Sequence, residues 1–365
     1  MFVLALEIIQ KCNLRCRYCY LGEKKNKDMA NSTIEDAIKI GLENAKKQDD
    51  KNLDVYFIGG EPLLAIDKIY EVVRKVVSEC RKNDLIPTFS TTTNGTLLTD
   101  EIVDFFIENN FDWKISIDGG ELINDLNRFD NNGYGSYEKI RSNLRYKDKF
   151  ERQTQKKVHA AQVITSNNVK YFADSFKHLK NLGFKYIETD IDKYNTWEID
   201  KKEILIQQLE DTIDFYHRST QSGEMYYWQL FEHFLKDYFT EVPFYACKAA
   251  VHSIFVNVDG MYYSCCECPG MEIGNSKLNK IDIDKIKKLI TIAETSNKEC
   301  LKCKYLKRCK ARGCITDSYS INGSIFEPSD MGCFLTKSVF EIISRRFNEK
   351  EKYELHKHYG GIENG

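Results

Sequence analysis

From Phe2 to about Ile191 the chain alternates short β-rich runs with amphipathic segments, and this rhythm limits its fold more than any single residue does. Near-continuous apolar runs at Val3–Ile9, Leu53–Ile58, Pro87–Thr92, Trp113–Ile117, Val158–Ile164 and Tyr186–Ile191 read as strands. Helical periodicity falls between them, near Thr33–Lys47, Ile66–Lys82, Asp100–Asn109, Tyr137–Tyr146 and Tyr171–Leu182. Ser32 followed by Glu35 has the form of a capping box, and Thr99 suits the N-cap of the third helix. Strands without a polar face are buried on both sides, as in a parallel sheet covered by helices. Six units are fewer than the eight of a closed barrel. The expected fold class is therefore α/β, a partial (β/α)6 TIM-like barrel whose open side admits a large substrate such as a peptide.

The remainder differs in texture. Helical periodicity at Asp200–Thr220 and Tyr226–Phe239 leads into a Cys-, Gly- and Lys-rich stretch from about Pro243 to Cys333, and an amphipathic helix follows near Leu335–Asn348. At 365 residues the chain exceeds the size at which one core stops growing. The expected organisation is a barrel over 1–195, a helical bridge over 196–242, a Cys-rich domain over 243–335 and a C-terminal helix and tail over 336–365. A net charge of −2 with both signs interspersed leaves no nucleic-acid footprint. Apolar runs stay well short of the roughly 18 residues of a membrane span. No basic segment leads into an apolar core at the start. The expected location is cytoplasmic, with neither a membrane nor a nucleic acid as partner. In a reducing compartment, thirteen clustered cysteines mean metal or catalysis rather than disulfides. Cys80 is the exception, sharing a helical face with Ile69, Val73 and Val76 as an ordinary core thiol.

Three cysteines, Cys12, Cys16 and Cys19, crowd the loop after the first strand in the spacing CxxxCxxC. A [4Fe–4S] cube takes four thiolates, so three on one tight loop leave an iron open to a small molecule. Structural zinc wants a closed set of four ligands, and the next cysteine is Cys80. This loop resembles that of the radical S-adenosylmethionine (SAM) superfamily, where SAM chelates the open iron. The resemblance implies that Tyr18 lies near the adenine and that Gly59-Gly60-Glu61-Pro62 matches the motif that contacts the SAM amino group. Asn94, in Thr93-Asn94-Gly95, would then lie near the ribose or methionine. Ser116 and Asp118, in Ser116-Ile117-Asp118-Gly119, would face the ribose hydroxyls. Asp125 and Arg128 match a D-x-x-R element, with Arg128 as the fork for the SAM carboxylate. Gly133–Asn143 resembles the family segment that leads into the next helix, and Val163 and Ile164 would flank the adenine.

A second constellation runs Cys247, Gly260, Cys265, Cys300, Cys303, Cys309, Cys314 and Cys333. Its central C-x2-C-x5-C-x4-C would suit a zinc ribbon if it stood alone. Behind the first motifs it resembles the SPASM domain of radical SAM peptide and protein maturases, which holds two auxiliary [4Fe–4S] clusters. That family pattern closes its central run with C-x3-C, one residue shorter than Cys309–Cys314 here. By resemblance Cys300, Cys303, Cys309 and Cys333 hold the second auxiliary cluster. The first takes Cys247, Cys265 and Cys314, and then either keeps an open iron or takes Cys268 or Cys266 as fourth ligand. Tyr262, Tyr263, Glu267 and Arg312 lie among these cysteines without an assigned role.

The resemblance implies an enzyme with three [4Fe–4S] clusters and SAM, in which a reduced cluster cleaves SAM to methionine and a 5′-deoxyadenosyl radical that takes a hydrogen atom from the substrate. The leading expectation is a thioether or carbon–carbon crosslink in a ribosomally made peptide. Many such maturases carry an N-terminal leader-binding module; here the barrel begins at residue 2, so the expectation is that this module is absent or is a separate leader-binding protein. A one-electron donor such as flavodoxin or ferredoxin is also expected. The alternative is an anaerobic sulfatase maturase, forming formylglycine. Those enzymes place an aspartate base directly after the cysteine of the G-x4-C element, where this chain has Cys266. A non-catalytic Fe–S electron carrier is the third reading, and it has no use for the Gly59–Pro62 motif.

Overall fold

The computed structural model describes residues 1–22, 24–266, 272–276, 280–282, 284 and 297–360. The chain folds as two compact units. The first comprises Met1–Ile117, Asn124–Ala160 and Lys248–Leu289, and the second Asp118–Ile123, Ala161–Cys247 and Ile290–Gly365.

In the first unit β1 (Phe2–Ile9), α1 (Asn31–Ala45), β2 (Asn52–Gly59), α2 (Ile66–Lys82), β3 (Ile86–Thr93), α3 (Asp100–Glu108) and β4 (Asp112–Ser116) follow one another. The four strands pair in parallel in chain order, with Phe2 opposite Leu53, Leu53 opposite Pro87 and Ser90 opposite Asp112. Their helix-facing residues are wholly buried. Phe111 packs against Phe57, Phe89 and Phe106 with ring centroids 6.1, 5.5 and 4.5 Å away. Trp113 joins this cluster to Phe150 of α5 (Tyr137–Thr154). Cys80 is fully buried on the inner stripe of α2, and burial pushes its thiol up to about 11. On its other side β1 pairs in parallel with β8 (Ser253–Val256), Val3 opposite Ser253. The sheet then continues antiparallel through β9 (Met261–Tyr263), β10 (Glu272–Asn275) and β11 (Lys280–Ile281).

The second unit holds most of β5 (His159–Ile164), then α6 (Phe172–Asn181), β6 (Tyr186–Ile191), α7 (Ile199–Gln221), β7 (Tyr227–Trp228) and α8 (Gln229–Phe239). Trp228 is its hub. The indole packs on Phe176, Phe231, Tyr216 and Phe172, and its Nε1 donates to Thr189 Oγ1 at 3.1 Å. A short turn, α9 (Lys298–Leu301), precedes α10 (Ile315–Asn322), α11 (Asp330–Arg346) and α12 (Glu349–Gly360).

All six expected strands form, within two residues at each end. Four local expectations change. The capping box is absent: α1 starts at Asn31 behind Ala30, which makes no side-chain cap, so Ser32 lies inside the helix. The buried stripe of Ile34, Ala37 and Ile38 sets that phase. Tyr227 and Trp228 leave the expected helix and pair with Tyr186 and Ile187, because two aromatics suit a pleated, half-buried surface. Helix α5 runs to Thr154 because Lys147 and Phe150 continue its buried face, and Gln155 ends it in the left-handed conformation. Helix α11 begins at Asp330, capped by Ser329 Oγ accepting from Gly332 N–H at 3.1 Å. Cys333 is therefore helical. The Thr99 cap forms as expected, its Oγ1 accepting from Ile102 N–H.

Phe111→Ala removes the ring shared by three stacked partners. It is expected to destabilise the first unit by about 3–5 kcal/mol, visible as an earlier thermal unfolding onset by circular dichroism. An unchanged onset would mean the cluster does not hold this unit together.

Candidate active site and cysteine cavity

The cysteine loop leaves β1 where β2 ends, and the two backbones nearly touch. A Cβ on Gly59 would sit 2.1 Å from the Ile9 carbonyl oxygen, and one on Gly60 2.2 Å from that of Lys11. Only glycine allows this approach. Gly60 N–H donates to Ile9 O and Glu61 N–H to Lys11 O, at 2.8 and 3.0 Å. Glu61 is thereby held just below the loop. Its carboxylate, buried from solvent, accepts from Leu63 N–H, Thr93 Oγ1 and Asn94 N–H at 3.1, 2.7 and 2.7 Å. Burial pushes its pKa up, against these donors and Arg128. Pro62 opens the short turn that Glu61 caps.

Asn94 carries the connection up to the cysteines. Its Nδ2 donates to Asn13 Oδ1 at 2.8 Å and approaches Cys12 Sγ at 3.9 Å, while Asn13 donates to Thr96 Oγ1. Leu14 N–H lies 3.4 Å from Cys12 Sγ. From the other side Arg15 and Arg17 N–H groups donate to the carbonyls of Phe129 and Asn127. Arg128, buried between these two, brings Nη1 to 3.9 Å from Cys16 Sγ and its guanidinium carbon to 5.3 Å from the centre of the Tyr18 ring. Cys12, Cys16 and Cys19 are half-buried, and burial pushes the Cys12 thiol up while Lys24 opposes it. Donors and a cation aimed at sulfur suit thiolates that carry an anionic cluster. The residues present fit that group.

The flanking motifs divide by role. Asp125 accepts from Ser136 and Tyr137 N–H at 2.9 Å and so pins the start of α5. Gly135 is required there, since a Cβ would lie 1.9 Å from the Asp125 carboxylate. Ser116 closes β4 half-buried. Asp118 is wholly buried; its Oδ1 accepts from Val163 N–H and its carbonyl from Gln162 Nε2. That bonding makes it a brace for β5, a role its S-x-D-G context does not spell out.

Cys300, Cys303, Cys309 and Cys333 line one cavity of about 370 Å³, with Arg312, Thr336 and Lys337. Burial pushes the Cys309 thiol up, opposed by the backbone N–H groups of Ala311 and Arg312 and by Thr336, whose hydroxyl donates to Gly332 O at 2.8 Å. Four thiols around one space, with donors turned toward one of them, fit a four-thiolate cluster. Cys314 does not line this cavity. It is packed beside Asp317, and burial followed by that carboxylate pushes its thiol up to about 12. Cys247 and Cys314 belong to the second unit, Cys265 and Cys266 to the first. Cys268 lies outside the described residues. Thr93, Asn13, Thr336 and Lys337 join these sites without having been singled out. The last two sit three and four residues after Cys333, a signal that becomes legible only once α11 is known to start before it.

An α/β fold of parallel β/α units followed by a Cys-rich region, with three cysteines above a GGEP turn, defines a cluster-dependent SAM enzyme. The model of the Radical SAM superfamily matches residues 6–198, and the chain belongs to that superfamily. Its cofactors are accordingly a [4Fe–4S] cluster and SAM. A cysteine-type anaerobic sulfatase-maturating enzyme of Clostridium perfringens is 24% identical over 83% of this chain and 85% of its own length. A second, from Clostridium novyi, is 28% identical over 48% of this chain and 47% of its own length, so the chain spans about half of that relative. Among solved structures, anSMEcpe with bound AdoMet superposes with a TM-score of 0.74 at 20% identity, covering 99% of each chain. SuiB of Streptococcus suis, bound to its precursor peptide SuiA, gives 0.62 at 18% identity over 91% of this chain and 75% of its own. The fold is that of the radical SAM partial barrel with a Cys-rich C-terminal region. Among the described residues no helix is long and apolar enough to cross a membrane.

Gly60→Ala is expected to force the Glu61 turn away from the cysteine loop and to lower iron incorporation on anaerobic reconstitution, read by iron analysis. Full iron content would remove the close approach from the account. Glu61→Gln places an amide NH2 against donors and should cost about 1–3 kcal/mol. SAM affinity is then expected to fall by about tenfold, measured by calorimetry on reconstituted protein.

Proposed function

We propose that this chain is a peptide-modifying oxidase that joins two side chains of a ribosomally made peptide, by a thioether or a carbon–carbon bond. The cluster on Cys12, Cys16 and Cys19, with SAM, supplies one-electron cleavage of the sulfonium and hence a hydrogen-abstracting 5′-deoxyadenosyl radical. The protein's own residues bind and orient. Gly59–Pro62, Asn94 and Arg128 hold the SAM amino acid end, Tyr18 and Ser116 flank the nucleoside, and Asp118 steadies β5. Cys300, Cys303, Cys309 and Cys333 hold one auxiliary cluster.

The observation that carries this reading is Cys266. Sulfatase maturases of the kind this chain resembles carry an aspartate base at that position. Here a thiol packs instead against the apolar group of Ala5, Ile58, Phe255 and Tyr263. Among the described residues no carboxylate stands at that position to draw a proton. Thioether formation removes two hydrogens in all: a hydrogen atom from carbon, and a proton with one electron from the thiol. An external carrier such as flavodoxin or ferredoxin supplies the electron that starts the reaction and receives the one released. A separate leader-binding protein would present the peptide. Sulfatase-type oxidation is the second reading, favoured by the likeness to the Clostridium perfringens enzyme along most of both chains.

The test is anaerobic co-expression with a short Cys-containing precursor peptide encoded beside the enzyme, followed by tandem mass spectrometry. Loss of two hydrogens, with fragments missing between two linked residues, is the expected result. Exchange of a cysteine sulfur for oxygen would assign the second reading. SAM cleavage by reduced enzyme, without any peptide change, would leave the superfamily chemistry standing and sink the crosslinking proposal.

A further inference from the structure

Arg312 is a buried cation, 8% exposed, on the wall of the cavity formed by Cys300, Cys303, Cys309 and Cys333. Its Nε donates to Leu306 O and its Nη2 to Val242 O at 2.7 Å, and its guanidinium carbon lies 5.8 Å from the centre of the Phe244 ring. These contacts fix the guanidinium but do not neutralise it. Among the described residues no carboxylate forms an ion pair with Arg312. A charge taken out of water without a counter-charge is strongly unfavourable. The cavity wall carries the four thiols together with the exposed carboxylates of Glu299, Glu327 and Asp330, and none of these carboxylates forms an ion pair with Arg312; Asp330 pairs with Lys202 and Glu299 with Lys302.

A second cation stands at the cavity wall. Lys337, exposed on α11 one turn after Cys333, lines the same cavity. Here too, among the described residues, no carboxylate is paired with it.

We propose that Arg312 is the buried counter-charge of the cluster held by Cys300, Cys303, Cys309 and Cys333, and that with Lys337 it raises that cluster's reduction potential so that it accepts electrons. A cluster on four thiolates is anionic and gains one more negative charge on reduction. A fixed cation beside it stabilises the reduced form more than the oxidised one. Because Arg312 is desolvated and Lys337 is not, Arg312 has the larger effect. Both are positioning residues: neither touches substrate. The inference rests on the assignment of these four cysteines to a cluster.

The experiment is an EPR-monitored redox titration of reconstituted enzyme in a Cys12→Ala, Cys16→Ala, Cys19→Ala background, which removes the SAM-binding cluster. The signal that disappears in Cys300→Ser, Cys303→Ser is followed. Arg312→Gln is expected to move its midpoint to more negative potential, Arg312→Lys to keep it near that of the parent, and Lys337→Gln to give a smaller negative shift. Loss of the cluster in Arg312→Gln with retention in Arg312→Lys also supports the counter-charge, since the two differ in charge. An unchanged midpoint in Arg312→Gln overturns the proposal. So does loss of the cluster in both arginine variants, which would make Arg312 a purely structural clasp on Leu306 and Val242. If no signal depends on Cys300 and Cys303, the cluster assignment itself falls, a result distinct from a cluster whose potential ignores Arg312.

Discussion

The backbone contact between the ends of β1 and β2 governs the rest of the candidate active site. Gly59 and Gly60 bring one strand end against the carbonyls of Ile9, Gln10 and Lys11 at distances no side chain allows. That contact places Glu61 beneath the cysteine loop, and Glu61 in turn positions the Thr93–Asn94 turn. Asn94 then reaches Asn13 and Cys12. Three segments far apart in sequence are tied in one chain of short hydrogen bonds. The energetic logic is that of a buried polar network: fully satisfied it fixes a single geometry, and one missing partner leaves a desolvated group exposed to the full cost. The carboxylate matters here less as a charge than as a three-way acceptor.

The same contact explains why the loop can carry three thiolates. Thiolates repel one another, and burial raises the cost of each. The protein answers with donors and a cation aimed at sulfur: Leu14 N–H and Asn94 at Cys12, Arg128 at Cys16. Arg128 is itself supported by the strand-like pairing of the loop with residues 127–130. Its proximity to the Tyr18 ring adds a cation–π contact. A group read from sequence as a carboxylate fork thus also belongs to the electrostatic support of the loop.

How much of this was legible varies with the physical origin of each feature. The strands were readable because burial on both faces leaves an apolar run that no other element produces. The cysteine loop and GGEP turn were readable because metal ligation and close backbone approach admit very few residue types. The cap on α1 was misread because Ser32 and Glu35 fit a local rule, while the phase of the helix was set by Ile34, Ala37 and Ile38 packing inward. Tyr227–Trp228 was misread for the same reason: tertiary pairing with Tyr186 overrode a local tendency. The start of α11 at Asp330 mattered most for function. Placing the helix after Cys333 hid the fact that Cys333, Thr336 and Lys337 share one face.

The two cysteine constellations follow one electrostatic plan with different emphasis. At the loop the cation Arg128 lies within Coulombic reach of the buried carboxylate Glu61, so positive and negative charge are balanced locally before any cluster is considered. At the cavity Arg312 is held by carbonyls and an aromatic ring, and among the described residues no carboxylate is paired with it, the wall carboxylates Glu299, Glu327 and Asp330 being exposed. A site built to pass an electron toward a cationic substrate gains from local neutrality, because added positive charge would hold the electron back. A site built to receive one gains from uncompensated positive charge. The two arginines therefore meet different electrostatic surroundings: Arg128 shares a desolvated site with a buried carboxylate, whereas the carboxylates on the wall beside Arg312 stand in solvent, where water screens them.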